Sequence, residues 1–306
     1  MTPMLPPSVR GPIFSRRQGL AWLVSVASVL LSTMSIGAEM IDLRVIVDTR
    51  SISGQQGRAL LSQRIQDHVY TLNGVYRESD VRLRSRLVAV DYLPIAERDA
   101  ERLLKMMTDE QGPFVGLFTQ ASYLGADYTI VYVRGLTIRG KHRCGRAVAV
   151  NLAREDLAST RKALAVLDIA CGPLSLAHEL GHLMGLNHGE LVDRCQPDHG
   201  HTTAAAPYAL GYAIGNCDGQ PQVGEFGTIM VGGWMRAIYG DQHHVVPMYS
   251  NPRVKDPRCG KLHECGNDAI GDAARFLNEN AFLYSGHETA RIGSDANVDT
   301  PKKIRP

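Results

Sequence analysis

The sequence has no strong bias of charge, no internal repeat and no low-complexity tract. It carries 33 basic and 31 acidic side chains among 306 residues, for a formal net charge of +2. A nucleic-acid binding domain would concentrate lysine and arginine in one block, and no such block is present. Hydrophobic residues make up 44% of the chain and charged residues 21%, as in ordinary globular proteins. These features exclude a disordered chain, a fibre, a multispan membrane protein and a nucleic-acid partner.

The N-terminal apolar run is too short and too interrupted for a stable membrane span. Arg10, Arg16 and Arg17 precede an apolar stretch over 20–36, which contains four serines and a threonine, and small residues follow it. This order of basic, apolar and small residues is typical of a secretory signal peptide. We therefore predict a signal peptide over 1–38 and a secreted or periplasmic protein. A retained anchor is the alternative, and the paired arginines leave open whether export uses the twin-arginine route.

The sequence has no C-x-x-C pair, which argues against a cysteine-bound metal. All six cysteines follow the predicted signal peptide, and an even number in an exported chain favours disulfides. The residues alone do not choose among the pairings.

Hydrophobic periodicity divides the rest of the chain into a regular first half and an irregular second half. The second half, after residue 188, is rich in glycine, proline, asparagine and aspartate. We predict a mixed α/β (α+β) domain over 39–285, with one lobe to about residue 188 and a second lobe after it, and a C-terminal tail over 286–306. The predicted strands are 41–49, 81–93, 128–133 and 147–151, the predicted helices are 57–75, 95–107 and 268–280, and 163–170 fits either a strand or the start of a helix.

Three histidines lie close together in the segment AHELGHLMGLNH, residues 177–188. His178 and His182 are four residues apart, so on a helix both imidazoles point the same way and can share a metal ion. Gly185 can adopt a left-handed conformation that ends the helix and returns His188 to the same ion. Three neutral imidazoles leave a fourth position open, as in a catalytic zinc site. The alternative is a histidine-rich helix end without metal.

Glu179 follows the first histidine and is offset around the helix, so it can reach a water molecule without binding the metal. Zinc would polarise a substrate carbonyl and acidify the water. Glu179 would take the proton of that water as general base and pass it to the leaving amine.

The pattern H-E-x-x-H-x-x-G-x-x-H, matched here at every fixed position, resembles the signature of the metzincin zinc metallopeptidases. The segment Gly227–Met230 resembles the Met-turn of that family, in which Met230 would lie beneath the zinc. An ordinary core methionine is the alternative, and Met235 and Met248 are the other candidates for the Met-turn. Together with 249–252 and 272–278, the resemblance extends over about 126–282 and is closest to bacterial reprolysin-like and peptidyl-Asp metalloendopeptidase groups.

The resemblance implies a metzincin-type fold: a twisted, mixed five-stranded sheet with two long helices, then an irregular lobe with one terminal helix. It also implies that an edge strand over 144–150, with Gly145 and Ala147 as substrate-binding residues, pairs with an extended substrate. Disulfides Cys144–Cys171 and Cys195–Cys217 would fit this arrangement.

The sequence departs at three points from the patterns of particular metzincin groups. Gly232 stands where astacins and serralysins carry a tyrosine, so no tyrosine ligand is expected. His188 is followed by Gly189 and Glu190, and not by the aspartate typical of reprolysins. No cysteine precedes Cys144, so a cysteine-switch propeptide is not expected.

Several other side chains have both a functional and a structural interpretation. Arg236 follows the predicted Met-turn and could favour an acidic residue after the cut bond, or it could be a surface arginine. No calcium-loop repeat is present, so the sequence leaves calcium open. Four further histidines could bind a second metal or could be solvated loop residues: His199, His201, His243 and His244.

These residues predict an exported, monomeric zinc endopeptidase with one catalytic zinc ion, a protein or peptide substrate and no membrane span once the signal is removed. The first alternative is a secreted zinc-binding protein without catalysis that binds a host or envelope partner. The intact Glu179 argues against it, since binding does not need a base. A second alternative is a zinc hydrolase that acts on a non-protein amide such as a cell-wall peptide.

Overall fold

The structure, a computed structural model, describes residues 37–148 except 53, residues 163–195, residues 204–231 except 219 and 221, and residues 245–285. The predicted signal peptide, apart from its last two residues, and the predicted tail over 286–306 lie outside the described residues. So do Gly232, Met235, Arg236 and the four loop histidines. The domain boundaries and the roles of those residues therefore stay predictions.

Seven α-helices and eleven strands lie wholly within the part of the chain that the structure describes, besides the 3-10 helices Thr49–Ser51 and Gly112–Phe114. The helices are α1 (Gly54–Glu78), α2 (Ala100–Thr108), α3 (Leu117–Leu124), α4 (Leu174–Leu183), α5 (Glu190–Cys195), α6 (Ala273–Glu279) and α7 (Ala281–Tyr284). The strands are β1 (Glu39–Asp48), β2 (Leu83–Leu93), β3 (Tyr128–Val133), β4 (Thr137–Ile138), β5 (Lys141–His142), β6 (Gly145–Ala147), β7 (Leu164–Asp168), β8 (Ala213–Ile214), β9 (Phe226–Gly227), β10 (Asn251–Lys255) and β11 (Glu264–Cys265).

The central sheet has five strands in the order β2-β1-β3-β7-β6. The first four strands of that order are parallel, and β6 runs antiparallel to β7 at one edge. All residues of β3 and β7 are buried, as expected for parallel strands that are covered on both faces. The mixed five-stranded sheet and the α/β class are thus confirmed.

The two faces of the sheet pack against different helices. Ala165 and Leu167 of β7 belong to the apolar core that includes residues of α1 and α4. Leu164 and Val166 alternate with them and belong to the core that includes α2. Side chains of successive strand residues point to opposite faces, so the strand pattern alone separates a face with α1 and α4 from a face with α2.

Two helices begin later in the chain than the sequence predicts, and each begins directly after a capping aspartate. Helix α2 begins at Ala100 and not at residue 95; the side chain of Asp99 accepts from Arg102 N and caps the helix. Helix α6 begins at Ala273 and not at residue 268, with Asp272 as its cap. A second short helix, α7, follows it, so the prediction of one terminal helix was wrong, and α3 and α5 were not predicted.

All six cysteines form disulfides. The pairs Cys144–Cys171 and Cys195–Cys217 confirm the pairings that the resemblance implied, and Cys259–Cys265 is the third. Among the described helices, none combines the length and apolar character that crossing a bilayer requires.

Candidate metal centre

Helix α4 carries His178, Glu179 and His182, and a glycine turn follows it. Gly185 has φ +95°, a left-handed conformation that favours glycine. Leu186 N donates to Gly181 O at 2.8 Å and Gly185 N donates to His182 O at 3.1 Å, which is the Schellman pattern of a helix end. The predicted glycine turn is therefore present and directs the chain back towards the helix.

The turn brings the three histidines together. The Nε2 atoms of His182 and His188 lie 3.1 Å and 3.3 Å from the Nε2 atom of His178. The three rings are half-buried, and their ligand atoms all lie within 4.8 Å of one another. Of the residues that the structure describes, these are the histidine, cysteine and acidic side chains that could hold a metal ion as a group of three.

Two backbone carbonyls fix which ring nitrogen of the histidines is free. His178 Nδ1 donates to Ile229 O at 3.0 Å, and His182 Nδ1 donates to Leu186 O at 3.0 Å. A carbonyl oxygen only accepts, so each proton lies on Nδ1 and each Nε2 keeps its lone pair. Such outer partners orient metal-binding histidines.

The donor set fits zinc. Three imidazole nitrogens at the usual 2.0–2.1 Å from a tetrahedral ion lie roughly 3.3 Å apart, close to the separations observed from His178 Nε2. Burial lowers the pKa of His178 and, with the charges of its two histidine neighbours, lowers the pKa of His182 still further. The rings of His178 and His182 are therefore neutral and able to act as ligands near neutral pH.

Glu179 is buried beside this group, against the edge strand. Burial raises the pKa of Glu179 to about 8, while the charge of Arg146 and a hydrogen bond from Ala147 N oppose that shift. A Cβ atom on Gly145 would lie 2.5 Å from Glu179 Oε1, so the side chain packs directly on the backbone of β6. Gly145 and Ala147, two predicted substrate-binding residues, are thus adjacent to Glu179.

Strand β6 is shorter than the strand predicted over 147–151 and begins earlier, at Gly145. Residues after 148 in that prediction lie outside the described residues. The disulfide Cys144–Cys171 ties the start of β6 to the turn before α4. The strand and the helix that carry Gly145 and Glu179 are therefore held together covalently as well as by packing.

Met230 lies under α4. It is fully buried, and its sulfur occupies the space that a Cβ atom on Gly181 would need. The preceding residue, Ile229, supplies the carbonyl that accepts from His178 Nδ1. Met248, one of the other Met-turn candidates, is buried instead in a separate core with Phe226.

The sequence did not predict the two tyrosine side chains that donate hydrogen bonds to backbone carbonyls of α4 and its C-terminal cap. Tyr249 is buried, and its hydroxyl donates to Ala177 O at 2.7 Å, one residue before His178. The hydroxyl of Tyr284 donates to Met184 O at 2.9 Å, at the other end of the helix. Tyrosines in apolar cores need such partners, but the sequence does not show which carbonyl they find.

The third histidine is held by backbone contacts with the segment 209–211. Asn187 N donates to Ala209 O, Gly211 N donates to Asn187 O, and Asn187 Oδ1 accepts from His188 N. A Cβ atom on Gly189 would meet Gly211 O, so the two chain segments touch at their backbones. The position of His188 thus depends on contacts between 187–189 and the segment 209–211.

Residues 62–189 match the family described as Metallo-peptidase family M12B Reprolysin-like. The matched segment ends one residue after His188. The match confirms the resemblance to a metzincin-like zinc metallopeptidase that the histidine motif predicted.

A curated relative, the peptidyl-Asp metalloendopeptidase of Pseudomonas aeruginosa, is 23% identical over 308 aligned residues. The likeness covers 92% of this chain and 46% of the relative, so the chain spans about half the length of the curated protein it matches. A chain in the solved structure of a chaperone-substrate complex is similar to this one, with a TM-score of 0.58 at 20% identity. The similarity covers 82% of this chain and 36% of that chain, and it shows a shared fold alone.

Proposed function

We propose that this chain, part of which matches the reprolysin-like metallopeptidases, is a zinc-dependent endopeptidase with His178, His182 and His188 as metal ligands and Glu179 as general base. The observation that carries the proposal is the convergence of three Nε2 atoms beside a buried carboxylate. A metal site that served stability alone would have no use for a buried carboxylate next to it, since burying such a group is unfavourable.

A zinc ion in this group would supply a Lewis acid for the substrate carbonyl and a low pKa for an attacking water. The protein's own residues supply the remaining functions. His178 and His182 present fixed, unprotonated Nε2 atoms. Glu179 takes a proton from the water and returns it to the leaving nitrogen. Its place against Gly145 and Ala147 brings the base next to the strand that would hold the peptide.

The hydrogen bonds of β6 support binding of an extended peptide at this edge. Val148 N donates to Leu164 O and Asp168 N donates to Cys144 O. In an antiparallel pair such bonds recur at every second residue. The main-chain groups of Gly145 and Ala147 therefore point away from β7, where a peptide can add as a further strand. Ala147 N is shared with Glu179.

The proposal includes export and a preference for acidic substrates. Three disulfides fit an oxidising compartment, and 1–38 has the residue order of a signal peptide. N-terminal sequencing of the exported protein should find a start near Glu39. The name of the Pseudomonas relative refers to aspartate.

Proteolysis of a denatured protein, with and without a chelator, tests the proposed activity. The zinc-loaded chain should cleave the protein, the chelator should abolish cleavage, and added zinc should restore it. His182→Ala should bind zinc weakly and cleave nothing. If the purified chain binds zinc but leaves every substrate uncut under all these conditions, the alternative of a zinc-binding protein without catalysis gains support.

A further inference from the structure

Arg146 is an exposed cation in the middle of the edge strand β6, between Gly145 and Ala147. Its guanidinium forms no hydrogen bond and no ion pair with another residue that the structure describes. Other arginines near the sheet are paired: Arg44 with Asp91 and Arg98 with Asp48. A guanidinium without a partner among the described residues is available to a ligand at this edge.

The register of β6 determines which face Arg146 occupies. Arg146 lies opposite Val166, whose side chain belongs to the core with α2. Gly145 and Ala147 lie opposite Leu167 and Ala165, whose side chains belong to the core with α1 and α4. Directly opposed residues share a face. Arg146 therefore points to the α2 face, and the metal ligands lie on the other face.

A peptide that adds to β6 would present its side chains with the same alternation. Residues opposite Gly145 and Ala147 would direct their side chains to the metal face. The residue opposite Arg146 would direct its side chain to the α2 face, within about 5 Å of Arg146 between Cβ atoms. Arg146 therefore contacts one residue of the peptide, and a pocket beside the metal would contact a different one.

The charge around this position favours an anion. Strand β6 carries one charged side chain, the exposed guanidinium of Arg146. No acidic side chain of the described residues neutralises it by an ion pair. Guanidinium and carboxylate groups match in shape and form two parallel hydrogen bonds. An aspartate or glutamate opposite Arg146 would provide that partner.

We propose that Arg146 is a specificity-determining residue that binds a carboxylate side chain of the peptide, at the position that faces away from the metal. This inference rests on the proposed function for the orientation of the peptide. The substrate class is peptides in which an acidic residue is adjacent in sequence to a residue whose side chain faces the metal. Arg146 is the side chain that recognises the acidic residue.

Binding to a zinc-loaded, full-length Glu179→Gln variant tests the inference without requiring turnover. The probes are paired extended peptides that differ by aspartate or asparagine at one position, scanned along the sequence. We expect one position at which aspartate improves Kd by about tenfold, the lower end for a charge-assisted hydrogen bond near solvent. Arg146→Ala should remove that preference, Arg146→Lys should keep part of it, and Arg146→Glu should shift it to lysine.

Arg84→Glu provides the matched control. Arg84 is exposed on β2, at the opposite edge of the same sheet, so the same charge change should leave the peptide preference unaltered. The preference should also weaken as salt is added, because it is electrostatic. An unchanged aspartate preference in Arg146→Glu, or no position of preference in the starting protein, overturns the inference.

Cleavage by the protein with Glu179 intact separates the two proposals. If it cuts peptides but the aspartate preference is the same in the Arg146 variants, the endopeptidase proposal stands and the specificity inference fails. If it cuts nothing while the binding preference follows Arg146, the activity proposal fails, and Arg146 remains the recognition residue for an acidic peptide.

Discussion

Gly181 and Met230 are packed so closely that the methionine sulfur occupies the position of the Cβ atom that any other amino acid at residue 181 would have. Gly181 precedes the second histidine of α4, and Met230 follows the residue whose carbonyl orients His178. The contact sets the distance between the helix and the turn below it. Both residues are fully or almost fully buried, so neither can move aside freely.

Gly181→Ala should therefore destabilise the protein, although alanine favours a helix over glycine by about 1 kcal/mol. The added methyl would collide with Met230 and approach Tyr249 Cε1 at 3.3 Å. Overpacking of this kind is unfavourable by about 1–3 kcal/mol. We expect a lower Tm for the metal-free protein and weaker zinc binding, measured by thermal unfolding and competition with a chelator.

Gly172→Ala is the matched control for this prediction. A Cβ atom on Gly172, in the turn before α4, meets nothing within 4 Å. Its Tm and zinc affinity should stay close to those of the starting protein. Equal behaviour of the two alanine variants would refute the proposed role of the Gly181–Met230 contact.

Removal of the Cys144–Cys171 disulfide should affect both stability and substrate binding. The bond closes a loop of sequence separation 27, and chain entropy predicts a loss of about 3.5 kcal/mol when both cysteines become serine. Because this bond holds β6 beside α4, KM should rise at temperatures where the variant is still folded. Urea unfolding and steady-state kinetics measure the two effects.

Cys259–Cys265 provides the comparison, with a sequence separation of 6. The same replacement there should reduce stability by about 2 kcal/mol and leave KM unchanged. A rise of KM in both double variants would point to general loosening of the fold, and not to a specific function of the tie at β6.

Asp168 should make the stability of the protein sensitive to acid. Although burial alone would raise its pKa, hydrogen bonds from Ala170 N, Leu136 N, His142 and Gly135 N lower the pKa below its ordinary value of 3.8. A depressed carboxyl pKa contributes stability that is present above pH 3.8 and is lost as the pH falls towards the folded-state pKa. The wild type should thus lose stability steeply in that window.

Asp168→Asn should flatten this acid dependence. At neutral pH it should also destabilise the protein by about 1–3 kcal/mol, since an amide cannot accept from all four donors. Urea unfolding from neutral to acidic pH measures both effects. Asp268→Asn, at an exposed position, should leave the curve unchanged. An acid dependence in Asp168→Asn as steep as in the wild type would contradict the assignment.

The sequence allowed the central strands, α1 and the three-histidine group to be predicted because each depends on local pattern. Strand β3 was predicted with its observed bounds, and β7 was predicted to be a strand or a helix start. The spacing of His178 and His182 is helical, and Gly185 provides the turn that returns His188. These features need only the period of the helix and the conformational freedom of glycine.

Other features depend on contacts between distant segments and could not be predicted. Helix α2 starts late because the buried carboxylate of Asp48 accepts from Ile95 N and holds that residue in the loop. The contacts of Tyr249 with Ala177 and of Asn187 with Ala209 and Gly211 join residues far apart in sequence. Arg146 could have been found, because it alternates with two residues that were already predicted to bind substrate.

The central claim is that Glu179 acts as the base beside a three-histidine zinc site, and Glu179→Gln tests it most directly. Gln has nearly the same shape but cannot take up a proton. Zinc content, measured by elemental analysis, should stay at one ion per chain, and kcat on a protein substrate should fall by at least about a hundredfold. Full zinc content with undiminished kcat would contradict the account.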